Sequence, residues 1–210
     1  MDISITLKTN SFKFNYIHLL VLIGFVASAF ILTHVLSIKR VAETAPEFDY
    51  DDIAGLAEEI YDTGTITDAV KNLPLDAALI KKMNEEIESQ LAKTTDYPSC
   101  EVYFLHARQN TKYPVLGYGN EVIDFEYLSI GEVWKVGITR NGELGRYRCN
   151  DFYKNPTEGI ALNRNKLQYQ YVYKGTYKQC IILEKLLIYT YSLWSGHSNL
   201  LKPPGCKIFR

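Results

Sequence analysis

A small α+β domain, set behind a membrane-crossing helix and a helical spacer, is the fold class the sequence predicts. Three observations carry it. Residues 17–38 contain no Asp, Glu, Lys or Arg. Leu75, Leu79, Ile80, Met83, Ile87 and Leu91 recur at helical spacing. From residue 100 onward, strand-like and helix-like segments follow one another in the order strand, strand, helix, strand, helix. The chain divides accordingly into an N-terminal tail (1–16), a transmembrane helix (17–38), an acidic spacer with an amphipathic helix (39–98), and the α+β domain (99–210).

At ~1.5 Å per helical residue, the uncharged 22 residues of 17–38 span about 33 Å, enough for a hydrocarbon core. His18, Thr33 and His34 are the main polar interruptions, and the histidines sit near the two ends. A secretory signal would have a shorter apolar region and a cleavage site; "ASA" at 27–29 offers one, but the apolar run continues through Phe30–Leu32. The expectation is an uncleaved single-pass anchor, with a signal peptide and a buried core helix as alternatives. Lys8 and Lys13 on one side nearly balance Lys39 and Arg40 on the other; the adjacent pair favours a C-terminal domain on the cytoplasmic side of the cell membrane.

Residues 41–63 hold eight acids and no Lys or Arg. An anionic membrane surface would repel such a run, so a solvated spacer or short helix is expected there rather than an acidic binding site. The stripe over 75–91 then suits packing on the C-terminal domain or self-association with another copy of the chain. Pro98 biases Tyr97 away from helix and closes this part.

In the domain, "CEVYFLHA" (100–107) reads as a strand and 107–120 as a loop or hairpin. "VIDFEYLSI" (122–130) and "EVWKVGIT" (132–139) read as strands, and "ELGRYRCNDFY" (143–153) as a short helix. "KLQYQYVYKGTY" (166–177) alternates, with Leu167, Tyr169, Tyr171 and Tyr173 on one face. A helix over 177–194 and a Pro-rich tail complete the chain.

The net charge of −1 conceals an asymmetry: residues 1–99 carry 8 Lys/Arg against 15 Asp/Glu, and residues 100–210 carry 15 against 9. The balance of −7 followed by +6 suits an anionic partner for the second part. Cys100, Cys149, Cys180 and Cys206 form no CxxC pair, which speaks against a zinc knuckle or a thioredoxin motif and for reduced thiols.

The chemistry-bearing residues cluster around "VWKVGITRNGELGRY". A "VYF" strand, "KVGIT", an arginine soon after, a tyrosine-rich strand, a glutamate in an apolar helix and a terminal "PPGCK" together resemble a GIY-YIG nuclease domain, in the branch where a lysine replaces the second motif's tyrosine. The resemblance covers about residues 100–210 and implies a three-stranded central antiparallel sheet flanked by helices. It also implies catalytic roles for Tyr103 beside the nucleophile, Lys135 as its neighbour, Arg146 as phosphate clamp and Glu184 as ligand of one Mg²⁺ or Mn²⁺. Gly137, Thr139, Arg148 and Lys207 are the substrate-binding residues it implies. Cys206 stands where the family usually has an asparagine, and the link from Tyr103 to Gly137 is longer than usual.

Elementary chemistry agrees with these residue types. Phosphodiester cleavage needs a water aimed at phosphorus and the added negative charge neutralised. A guanidinium stays charged and grips two oxygens at once. Glu184 sits among Cys180, Ile181, Leu187 and Ile188 at helical spacing, and a carboxylate buried there needs a counter-charge, a proton or a metal. A structural role is the alternative for each: a strand tyrosine, a solvated lysine, a surface arginine, a salt-bridged glutamate. The expected function is a membrane-anchored endonuclease acting on nucleic acid, DNA in the first place, in defence or DNA transfer. A non-catalytic nucleic-acid- or protein-binding module is the alternative.

Overall fold

The computed structural model describes residues 49–148 and 151–207. Of the two expectations for the acidic run over 41–63, its described part from Asp49 onward takes the helical one. Asp49 caps helix α1 (Tyr50–Thr63) by accepting from Asp52 N at 2.9 Å, and Gly64, at φ 66°, ends it in the left-handed conformation. Its acids face water while Ile53, Ala57 and Ile60, one helical face, are buried. Tyr50 ties this helix to the sheet by donating to Val172 O at 3.2 Å and by an edge contact with Phe104. A short α2 (Ile66–Val70) leads to α3 (Ala77–Ala92), which Asp76 caps. Met83 and Ile87 of α3 are fully buried within the chain, so the apolar stripe of 75–91 packs on the domain.

Among the described residues, seven strands follow: β1 (Cys100–Ala107), β2 (Thr111–Leu116), β3 (Val122–Leu128), β4 (Val133–Thr139), β5 (Asp151–Asn155), β6 (Ile160–Asn163) and β7 (Leu167–Gly175). Helix α4 (Gly142–Arg146) lies between β4 and β5, and α5 (Tyr177–Tyr189) with α6 (Tyr191–Trp194) follows β7. A Thr176–Gln179 capping box starts α5. The expected helix over 177–194 breaks at Thr190, whose hydroxyl donates back to Leu186 O at 2.7 Å.

The α+β character stands, but the sheet arrangement is corrected. The antiparallel β4-β1-β7 sheet is joined by two further sheets, β2-β3 and β5-β6, rather than being a single three-stranded core. The reason is two-sided burial. Val102, Phe104 and Val136 point into one core with α1, α3 and α5. Tyr103, Leu105, Trp134 and Leu167 point the other way and would face water without the two hairpins, which bring Tyr113, Leu116, Phe152 and Leu162 over them. The expected helix over 143–153 accordingly stops at Arg146, and its second half begins the β5-β6 hairpin.

The membrane-crossing helix is the second correction. Among the described residues, no helix is long and apolar enough to cross a membrane. The longest, α3, has 16 residues and carries Lys81, Lys82, Glu85, Glu86 and Glu88. The run over 17–38, on which the anchor and the cell-membrane location rested, lies outside the described residues.

Candidate active site

The register of β1 on β4 sets Tyr103 opposite Gly137. A Cβ at Gly137 would lie 2.5 Å from the Tyr103 hydroxyl oxygen and 2.6 Å from Cζ, so only glycine lets this ring lie across the strand. The Tyr103 ring stacks on Tyr169 of β7, centroids 4.8 Å apart, and meets Tyr147 edge-on at 5.9 Å. The hydroxyls of Tyr103 and Tyr147 share a buried hydrogen bond of 2.7 Å.

β4 lies at the rim of its sheet, and the C-terminal segment closes part of that rim. Gly205 N donates to Trp134 O at 2.6 Å, Cys206 Sγ donates to Val136 O at 3.4 Å, and Leu116 N donates to Pro204 O at 2.8 Å. Any side chain at Gly205 would collide with the Trp134 indole, 2.6 Å from its Cβ position. This docking carries Lys207 to the mouth of a cavity of about 650 Å³.

Tyr103, Lys135, Gly137, Arg146, Glu184 and Lys207 all line that cavity. Six of the eight residues singled out in the sequence therefore come together from β1, β4, α4, α5 and the C-terminal segment. The other two do not line it. Thr139 is buried, its hydroxyl donating to Gly142 O at 3.3 Å and accepting from Asn141 N at 3.2 Å, so it fixes the turn after β4. Arg148 is exposed beyond α4.

Burial governs the electrostatics. It pushes the Glu184 carboxyl above the usual carboxylate range, against the pull of Lys185, Lys135 and Arg146. It draws the Lys135 amine below the usual lysine range, and Arg146 and Lys207 add to that while Cys206 and Glu184 oppose it. Burial also raises the Tyr103 phenol far above its ordinary value, with only Arg146 pulling it down. Lys135 thus does not produce a Tyr103 phenolate; Tyr103 is a neutral hydroxyl held by Tyr147 and Arg146. The Arg146 guanidinium in turn is held more firmly protonated by its hydrogen bond to Tyr103. Its Cζ lies 5.9 Å from the Tyr147 ring centroid.

Several residues in or beside the cavity escaped the sequence reading. Tyr147 follows α4 directly, and only the fold turns its hydroxyl onto Tyr103. Tyr118, at the tip of the β2-β3 hairpin, reaches the same cavity from the longer link. Lys82, Glu85, Glu86, Ser89, Gln90 and Lys93 of the spacer helix form a wall, and Glu86 pairs with Lys185 at 3.0 Å. The helical stripe over 75–91 was a signal that α3 packs on something, and its polar face is what reaches the site.

A divalent cation fits the donor set at one point. Among the described residues the Glu184 carboxylate has no hydrogen-bond or ion-pair partner, although it lines a cavity ringed by cations. One carboxylate completed by waters and phosphate oxygens is a Mg²⁺ arrangement. Among the described residues no group of three or more His, Cys, Asp or Glu could hold a metal, so a cage of protein ligands is not what this site offers.

The fold and the site define an α+β domain with a cation-rimmed cavity built around one half-buried acid and a tyrosine pair. No protein-family model, no curated protein and no solved structure matches the chain.

Proposed function

We propose that the chain is a metal-dependent endonuclease that hydrolyses phosphodiester bonds of nucleic acid, with DNA as the expected substrate. The observation that carries the reading is the convergence of Tyr103, Lys135, Arg146 and Glu184 on one cavity from four separate elements. In this reading Arg146 and Lys207 grip the phosphoryl oxygens, where charge builds as water adds to phosphorus. Tyr103, neutral and fixed by Tyr147, positions the attacking water. Lys135, its amine lowered by burial, is the cavity group suited to take that water's proton. Glu184 would hold the Mg²⁺ or Mn²⁺, which when bound neutralises phosphate charge and stabilises the leaving oxygen.

The test is nicking of supercoiled plasmid by the full-length chain with Mg²⁺ or Mn²⁺, compared with Glu184→Ala. Equal cleavage by both would remove Glu184 from the mechanism.

A second reading, a non-catalytic nucleic-acid- or protein-binding module, is favoured by Cys206. Its thiol is buried and turned onto Val136 O, so it offers the cavity no oxygen ligand or strong donor. That reading expects DNA binding that weakens with salt and no cleavage with any metal.

A further inference from the structure

The resemblance to a nuclease domain begins near residue 100, yet one wall of the cavity comes from α3, which precedes it. We infer that α3 is part of the substrate path, presenting Lys82, Ser89, Gln90 and Lys93 to the phosphate backbone of the strand that flanks the cleaved bond; this rests on the nucleic-acid reading above.

Placement comes first. Residues 82, 86, 89 and 93 follow one another at steps of four, three and four, so they share a helical face, and all four line the cavity. The adjacent face, with Met83 and Ile87, is buried against the domain core. The Glu86–Lys185 pair at 3.0 Å, both side chains largely buried, locks that orientation one residue from Glu184. The wall is therefore rigid and aimed.

Length and charge come next. From Lys82 to Lys93 the helix rises about 16 Å at ~1.5 Å per residue, a length that matches four or five base-pair steps measured along a duplex axis at ~3.4 Å per step. The cavity lining holds six cations, Lys82, Lys93, Lys135, Arg146, Lys185 and Lys207, against Glu85, Glu86 and Glu184. This excess occurs in a chain whose net charge is −1 and whose first 99 residues are acidic. Of the two acids on the α3 wall, Glu86 is matched by Lys185 and Glu85 by Lys81. Ser89 already accepts from Lys93 Nζ at 3.0 Å, which holds that ammonium along the wall.

The experiment compares the full-length chain with the double variant Lys82→Ala, Lys93→Ala. Binding of a labelled 20-mer oligonucleotide, single-stranded and duplex, is measured from 50 to 200 mM salt, alongside plasmid-nicking kinetics. The expected result is a Kd and KM raised about tenfold, kcat within about twofold, and a plot of log K against log salt flatter by about 1.4 to 1.8. Lys82→Arg with Lys93→Arg restores wild-type values, which separates charge from folding. A double alanine variant with unchanged Kd and salt slope overturns the inference while leaving the nuclease reading intact. A wild-type chain that binds but never cleaves overturns the nuclease reading alone, since the binding arm still tests α3; a wild-type chain that binds neither oligonucleotide overturns both.

Discussion

The hydroxyls of Tyr103 and Tyr147 lie 2.7 Å apart in the buried layer between the central sheet and the β5-β6 hairpin. One of them must donate, and the Arg146 guanidinium beside them adds a charge-assisted bond to Tyr103. The orientation of Tyr103 therefore depends on the Tyr147 hydroxyl as well as on the edge-on contact between the two rings.

Tyr147→Phe removes that oxygen and keeps the ring. The loss of one buried hydrogen bond costs about 1 kcal/mol, or roughly 3 °C in Tm for a domain of this size. The cleavage rate falls roughly tenfold, equivalent to about 1.4 kcal/mol of transition-state stabilisation, while DNA affinity is unchanged. Differential scanning calorimetry and single-turnover nicking read the two effects separately.

Gly137→Ala places a methyl group 2.5 Å from the Tyr103 hydroxyl oxygen. The ring cannot retreat, because Tyr169 stacks behind it at 4.8 Å. Overpacking of this kind costs about 1–3 kcal/mol. In a Tyr103→Ala background the same methyl meets no ring, so a double-mutant cycle by urea denaturation shows most of the penalty as coupling between the two sites.

Much of this site was legible because it depends on local patterns. Glu184 stood out as an acid among apolar neighbours three and four residues away, and those neighbours are indeed buried. The strands β1, β4 and β7 were readable from alternation and β-branched content, although the bulge between Val102 and Tyr103 was not. The β5-β6 hairpin was missed because residues 143–153 read as one short helix; the turn ahead of Gly159, at φ 67°, was the available signal. Tyr147 and the polar face of α3 were invisible for a different reason. A tyrosine after a short helix and a row of lysines on an amphipathic one look like solvated surface until tertiary contacts turn them inward.

Lys135→Met tests the cost of the half-buried ammonium. The amine's value in the folded protein is lowered below 10.5, first by burial. Between that lowered value and 10.5 the folded chain has released a proton that the unfolded chain keeps, so stability rises with pH across this window. Below the window the folded protein carries the full penalty of the buried charge. Below the window the methionine variant is therefore more stable by about 1–2 kcal/mol, and it has lost cleavage throughout. Its denaturation midpoint lacks the rise on the alkaline side that the wild type shows.

Glu184→Gln carries the opposite sign. Burial raises the carboxyl above 4.5 in the folded chain. From 4.5 up to that raised value the folded protein holds a proton the unfolded chain has lost, so wild-type stability falls as pH rises through the window. The glutamine variant lacks this fall and is the more stable of the two above it. Mg²⁺ reverses the order for the wild type alone, because a ligand that needs the ionised carboxylate binds the folded state and displaces the proton. At a hundredfold excess over its Kd the ion adds about 2.7 kcal/mol to wild-type stability and nothing to Glu184→Gln. Thermal melts with Mg²⁺ and with EDTA, at pH 6 and pH 8, check this without an activity assay. Equal metal-dependent shifts in both proteins would place the cation away from Glu184.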